Sequence, residues 1–478
     1  MTTRAGAGSA ADLFPTHILG RPEVRELPAP PENTSQIIGP GIVAAGVGLA
    51  SGEFILYPYI ASQVGLVFVW AALVGVMTQF FLNMEIERYT LATGETVLTG
   101  FSRLGRHWGL AFVLMTMMVT LWPGWATSSA TMVTYLVGGE PRWVAIGMLV
   151  AIGLILTLAP VVYVMLERMQ MVKVAAVGLL ILISAIFVIT AEAWSSLPQI
   201  VTRARIPAQE LGFAVLLGAL AFAGAGGGQN LCQSNWIRDK GFGMGKYVPR
   251  IKSPVTGEPE AAPSTGFVFE PDAANLDRWQ RWWRFANVEQ LSTFVLITFV
   301  TITFTSLLAY ATVYGQEGLK NSIDFVRVEG EILQERVGAW FGVLFWFIGA
   351  FSLFAAATGI VDYTSRLAAD VLRTSYLKGH NESRLYFVLV WGLVAIGILV
   401  LLVGVAQPLV LLVISACVGG LMMFIYSALL IILNRRLLSP QIRPGPFRIA
   451  MLAWAFLLFG ILSILTLAQQ VPKLWAAG

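Results

Sequence analysis

The first 36 residues of the chain are polar and rich in Pro, Gly and Ala; beyond them the sequence turns apolar. Apolar runs of about 20 residues, long enough to cross a bilayer, then recur to the end. They predict eleven helical spans, at about 38–62, 66–91, 108–136, 143–165, 171–193, 212–238, 287–314, 337–362, 385–405, 408–434 and 447–470. The opening 1–36 reads as a flexible tail. It lacks the basic start, apolar stretch and cleavage site of a signal peptide. The longest loop, about 240–284, is rich in Pro and Gly and ends in "DRWQRWWRF". That basic, tryptophan-rich stretch predicts a short helix lying in the membrane interface.

Composition supports the same picture. The chain is 56% hydrophobic and 12% charged, with a mean hydropathy of +0.73; soluble domains carry about 25% charged residues. The alternating ten-residue pattern of a membrane β-barrel is absent. The predicted class is therefore an all-α integral membrane protein. The net charge of +4 mostly reflects basic loops on one side of the membrane. With the N-terminus inside, Arg21, Arg25, Arg88, Arg103, Arg238, Lys240, Arg373, Arg435, Arg443 and most other basic residues fall on the cytoplasmic side. The positive-inside rule selects that orientation, and an odd span count puts the C-terminus outside. Cys232 and Cys417 lie in apolar helices and read as small hydrophobes, not a disulfide framework. His17, His107 and His380 lie in the tail and loops, which excludes a His-based metal or haem site within the spans. No nucleophile with a base occurs in a span, so an enzyme is not expected, and neither is a cofactor or nucleic acid.

Two spans contain sequences that do not sustain a helix. Span 1 carries "GLASGEFILYP", with Ala50, Ser51, Gly52 and Glu53 at its centre. Span 6, five helices later, carries "GAGGGQN", from Gly224 to Asn230. Each interior Gly costs a helix about 1 kcal/mol relative to Ala, so a continuous helix across Gly224, Gly226, Gly227 and Gly228 is not expected. Interrupted helices at matching positions of two five-helix halves point to inverted repeats with a site at the membrane midplane. The halves are 37–193 and 212–434, joined by an extracytoplasmic loop at 194–211 and followed by helix 11 in 435–478. Backbone groups freed by unwinding must face protein, water or a ligand. The candidate site is accordingly Ala50, Ser51, Gly52, Glu53, Gly224, Gly227, Gln229 and Asn230.

Other readings of these residues remain open. Glycines also serve close helix packing, the preferred reading for "CVGGLMM" in span 10. A buried carboxylate costs about 2.5–3.5 kcal/mol on insertion scales and is by default functional, but Glu53 also fits a structural, hydrogen-bonded acid. If functional, it binds a cation or carries a proton. Glu289, at the start of span 7, and Asp362, Arg366 and Asp370, at the end of span 8, read as gating or structural groups. The i, i+4 spacing of the last three suits an ion-pair ladder. Glu85, Glu87 and Arg88 read as interfacial.

The stretches "IIGPGIVAAG", "GLVFVW", "ERYTLATGETVL", "RFANVEQ" and "FSLFAAATGIVDYTSRLAADVL" resemble the Nramp (natural resistance-associated macrophage protein) metal transporters. The resemblance covers most of the apolar chain. It implies a LeuT-like fold of two inverted five-helix repeats, alternating access and a divalent cation as substrate. The family's ligands do not carry over. Its Asp-Pro-Gly-Asn motif reads Ala50, Ser51, Gly52, Glu53 here. Its metal-binding methionine before Pro-His-Asn is Gly227, followed by Gly228, Gln229 and Asn230, and its span-10 glutamine falls near Ala416. The oxygens left would suit Mg²⁺ or Mn²⁺ better than a softer ion. Restoring sulfur with Gly227→Met is expected to move preference toward Mn²⁺. "ASGEF" and "LAFAGAGGGQN" also resemble the breaks of amino acid-polyamine-organocation transporters, which implies a small organic ion instead.

Overall fold

In hydrocarbon each backbone N–H and C=O needs a partner inside the chain, and the α-helix supplies one locally. The computed structural model describes residues 9–31, 39–121, 123–253, 265–316, 318–319, 323–404 and 408–477. All eleven apolar segments are helical in it. Span 1 is Pro40–Gly48, then a wide π turn, Ser51–Leu56, then Tyr57–Val64. Span 2 is Trp70–Thr93, span 4 Pro141–Leu158 and span 5 Val162–Phe187. Span 6 comes in two pieces, Phe213–Ala221 and Gly228–Lys240. Spans 8 to 11 are Ala339–Tyr376, Glu382–Val403, Pro408–Leu437 and Pro446–Ala477. Among the described residues, nine helices are long and apolar enough to cross a membrane. Spans 2 and 6 fall outside that set. Span 2 carries Gln79, Asn83, Glu85, Glu87 and Arg88, and neither piece of span 6 is long enough.

Burial divides centre from periphery. Span 1 is wholly enclosed, whereas the apolar windows of spans 4 and 5 are only 28% buried. Span 1, with its broken backbone, is enclosed along its whole length, as expected if irregular backbone is tolerated only inside protein.

Several expectations change. Span 3 is also interrupted: Trp108–Thr120 stops and Gly124–Val137 begins after Pro123, which has no N–H to continue the ladder. The tryptophan-rich stretch is not a separate interfacial helix. It opens a single 40-residue helix, Ala273–Thr312, that continues into span 7. No Gly or Pro interrupts it, and at 1.5 Å per residue it is about 60 Å long. Trp279 and Trp282 are buried against protein, not lipid; the Trp282 indole N–H donates to the Pro28 carbonyl at 2.7 Å. Span 8 runs to Tyr376, so Asp362 and Arg366 lie well inside it. A helix not anticipated, Asp324–Val337, packs on the start of span 8.

Residues 1–8 and 32–36 of the expected tail lie outside the described residues. The rest of it, 9–31, packs against the body. Phe14, Leu19 and Leu27 are buried. Strand β1 (Glu23–Val24) pairs in parallel with β2 (Phe267–Val268) from the long loop. The Arg103 guanidinium donates to Gly20 O at 3.0 Å and pairs with Glu95 at 2.6 Å. The apolar residues spaced through this polar segment are what fasten it.

Candidate functional site

A broken helix exposes the last carbonyls of one half and the first N–H groups of the next. In span 1 the chain leaves the helix at Leu49 and Ala50 and re-enters at Ser51. Three carbonyls of this first half-helix and its end each receive a side chain from a different span. Gln229 Nε2 donates to Ala44 O at 2.6 Å, Lys173 Nζ to Gly46 O at 2.6 Å, and Ser352 Oγ to Leu49 O at 2.8 Å. On the other side of the break, Glu53 Oε2 accepts from Ala50 N at 3.2 Å, half of a capping box, since the Ala50 methyl has no acceptor to offer in return. Glu53 is fully buried and its Oε1 has no hydrogen-bond partner. The Lys173 ammonium lies within electrostatic reach of it. One turn on, the buried Tyr57 hydroxyl is also without a partner.

The break in span 6 runs from Phe222 to Gly227. Gly224, Gly226 and Gly227 adopt φ of +117°, +76° and +57°, conformations that glycine takes without Cβ strain. One side chain from span 2 satisfies this loop. Gln79 Nε2 donates to the carbonyls of Leu220, Ala221 and Ala223 at 3.1, 2.9 and 3.0 Å. Its Oε1 accepts from Ala225 N and Gly226 N at 2.9 and 3.1 Å. Asn230 Nδ2 donates to Asn83 Oδ1 at 2.7 Å, leaving Asn230 Oδ1 without a partner.

The two breaks touch. A Cβ on Gly48 would sit 1.8 Å from Gly224 O, and one on Gly52 would sit 2.0 Å from Phe222 O. Gly227 rests on Gly419 of span 10, where a Cβ would come within 2.6 Å of backbone. These glycines therefore let two unwound backbones, and a third helix, meet without side chains between them. Ala50, Ser51, Gly52, Glu53, Gly224, Gly227, Gln229 and Asn230 thus gather at or beside one junction.

The remaining candidates lie elsewhere. Glu289 lies in the long helix of span 7. Its Oε1 accepts from Gly41 N at 2.8 Å, capping the first turn of span 1. Its other oxygen is without a partner, and Glu87 of span 2 is its acidic neighbour, with both carboxylate oxygens buried and unpartnered. Only half of the expected ladder forms. Arg366 Nε binds Asp362 at 2.8 Å, and Arg366 also pairs with Asp239 of span 6. Asp370 turns away to Arg238, at 3.0 Å, and to Thr96 Oγ1, at 2.5 Å. Arg238 also binds Glu382 at 2.9 Å. The result is a buried network tying the second half of span 6 to spans 8 and 9.

Gln79, Lys173 and the Arg238–Asp239 pair were not singled out from the sequence. The available signal was chemical type within an apolar span: an amide, an ammonium and an ion pair that must each have a polar partner. What they bind required the fold. Among the described residues, no group of three or more His, Cys, Asp and Glu side chains could hold a metal ion.

No protein-family model and no curated protein sequence matches the chain. Solved structures do. A mutant of the Eremococcus coleocola manganese transporter aligns over 98% of this chain and 92% of its own, with a TM-score of 0.67 at 12% identity. MhsT, in complex with L-phenylalanine, aligns over 93% of this chain and 99% of its own (TM-score 0.51, 13% identity). A nucleobase-cation-symport-1 family transporter in a closed conformation, with bromovinylhydantoin bound, covers 92% of each chain (TM-score 0.53, 13% identity). At these identities the likeness is one of fold. The chain has the LeuT-type fold: an all-α membrane protein with interrupted spans 1 and 6.

Proposed function

We propose that the chain is a secondary transporter working by alternating access, that it carries a small organic ion, and that Glu53 is its proton-carrying group. The observation behind the substrate class is the Lys173 ammonium, bound to the Gly46 carbonyl at the break of span 1 and within electrostatic reach of Glu53. A hard divalent cation takes six or more oxygens. The break offers one carboxylate, and the Gly46 carbonyl already accepts from an ammonium that would repel a second cation. An organic ion needs only a few directed contacts. The unpartnered Glu53 Oε1, Tyr57 hydroxyl and Asn230 Oδ1 are available for them. The N-terminus is placed in the cytoplasm on the basic-residue asymmetry.

The divalent cation implied by the Nramp resemblance is the second reading. Two observations favour it: of the three structures named above, the manganese transporter has the highest TM-score, and the contact between the breaks leaves little room.

Calorimetric titration of the purified protein with Mg²⁺, Mn²⁺, amino acids, amines and carboxylates separates the two. The first reading requires an organic ion to bind with a Kd of about 1 mM or below, the usual range for small substrates, and the metals not to bind. A metal isotherm that disappears in Glu53→Gln would reverse the order. In proteoliposomes, Glu53→Gln is expected to keep organic-ion binding and lose pH-driven accumulation, because the amide cannot titrate. Unchanged uptake and pH dependence would make Glu53 a structural cap only.

A further inference from the structure

A second site lies away from the helix breaks, where the long helix of span 7, the end of span 2 and the start of span 11 converge. They enclose a groove of about 560 Å³ lined by Arg88, Arg443, Arg448, Trp279, Trp283 and Phe447, among others. The groove is cationic in excess. Arg88 binds Glu85 at 2.7 Å, and Arg448 shares that carboxylate at 3.5 Å. Glu85 is already saturated further by Asn434 Nδ2, at 3.0 Å. Arg443 spends only its Nε, on the Leu438 carbonyl at 2.8 Å, and no carboxylate among the described residues pairs with it. Three guanidiniums thus face one buried carboxylate. Trp283 holds two of them in place, with Arg88 at 3.9 Å and Arg448 at 4.6 Å from its ring centroid.

The edge of the groove is apolar and open. Phe447, on its rim, is 68% exposed. The same face of span 11 continues through the exposed side chains Trp454, Leu457, Ile461 and Ile464, at helical spacing. A planar guanidinium matches a phosphate's oxygens. A basic pocket opening onto a lipid-facing apolar stripe has the form of a lipid-headgroup site.

We propose that this groove binds the phosphate headgroup of an anionic phospholipid, whose acyl chains lie along the Phe447–Ile464 face of span 11. The occupant is a lipid and not a soluble phosphate, because the basic groove opens directly onto the exposed apolar face of span 11.

The test is native mass spectrometry of the full-length protein in mild detergent. It is titrated with phosphatidylglycerol or phosphatidylcholine of equal chain length. Phosphatidylglycerol is expected to bind in preference. Arg443→Gln, which disturbs no buried carboxylate, should weaken it about fivefold, the effect of one basic residue at an anionic surface, and leave phosphatidylcholine unchanged. Phe447→Ser, on the exposed rim, should also weaken phosphatidylglycerol and keeps the test open if Arg443→Gln does not fold. Glycerol phosphate at equal concentration should not compete. Equal binding of the two lipids, undiminished binding in both variants, or competition by glycerol phosphate would each overturn the assignment.

Discussion

Gln79 shows at the scale of one residue how the fold tolerates an unwound helix inside a membrane. Its amide meets three carbonyls and two N–H groups of the span 6 break. An unsatisfied buried polar group costs about 1–3 kcal/mol. Gln79→Leu, similar in volume, is therefore expected to destabilise the protein by about 3 kcal/mol or more, read as a lowered melting temperature in detergent. Gln79→Glu keeps the two accepted hydrogen bonds but loses the donated ones and should lie between. A melting temperature for Gln79→Leu equal to the parent's would mean that water or a rearranged backbone replaces the side chain. Lys173 and Ser352 do the same for span 1 with one hydrogen bond each. Residue types at 173 and 352 were plain in the sequence, but which carbonyl each reaches was not, because the partner lies more than a hundred residues away.

At the scale of elements, spans 1 and 6 act on each other. Where "GLASG" was read as loosening span 1 for a ligand, the structure gives its two glycines a different task. Gly48 and Gly52 admit the carbonyls of Gly224 and Phe222. Gly48→Ala and Gly52→Ala would each drive a methyl into backbone at about 2 Å, where no flexible side chain can yield. Both are expected to abolish uptake and lower the melting temperature, whereas Ala substitution at Gly178, which has nothing within 4 Å, should do neither. Parent-like uptake in both variants would show that the breaks do not meet in the working protein. A second close contact, with span 10, rules out the sulfur-restoring substitution. At Gly227, φ is +57° and a Cβ would come within 2.6 Å of Gly419, so Gly227→Met is expected to misfold this junction and not to create a metal site. Gly227 was chosen from sequence as a missing ligand, yet its neighbours and backbone make it a packing position.

At the scale of the whole molecule, the helix Asp324–Val337 adds a pH dependence. Its Glu329 is buried beside the apolar side chains of Phe54, Pro58, Leu180, Phe304 and Phe345. Burial pushes its carboxyl up to about 8. A carboxyl raised above its unfolded value favours the protonated form in the folded state. Its stabilisation is full below about pH 4.5 and is lost as pH rises through about 8. Melting temperature is expected to fall between pH 5 and 8 in the parent and to fall less in Glu329→Gln; parallel curves would remove Glu329 as the cause. The helix periods that built this molecule were legible directly. Apolar run length determined the class of protein and that its apolar segments are helical, since hydrocarbon admits little else. The Gly content of "GAGGGQN" and the polar centre of "GLASGEFILYP" located both central interruptions within a few residues, since Gly and a buried carboxylate are costly in a plain span. Only the tertiary structure decided the rest. It fastened residues 9–31 to the body. It sent Asp370 to Arg238 in place of Arg366, and it brought Lys173 within electrostatic reach of Glu53. Each of these depends on which distant surface a residue meets, and local periodicity carries no information about that.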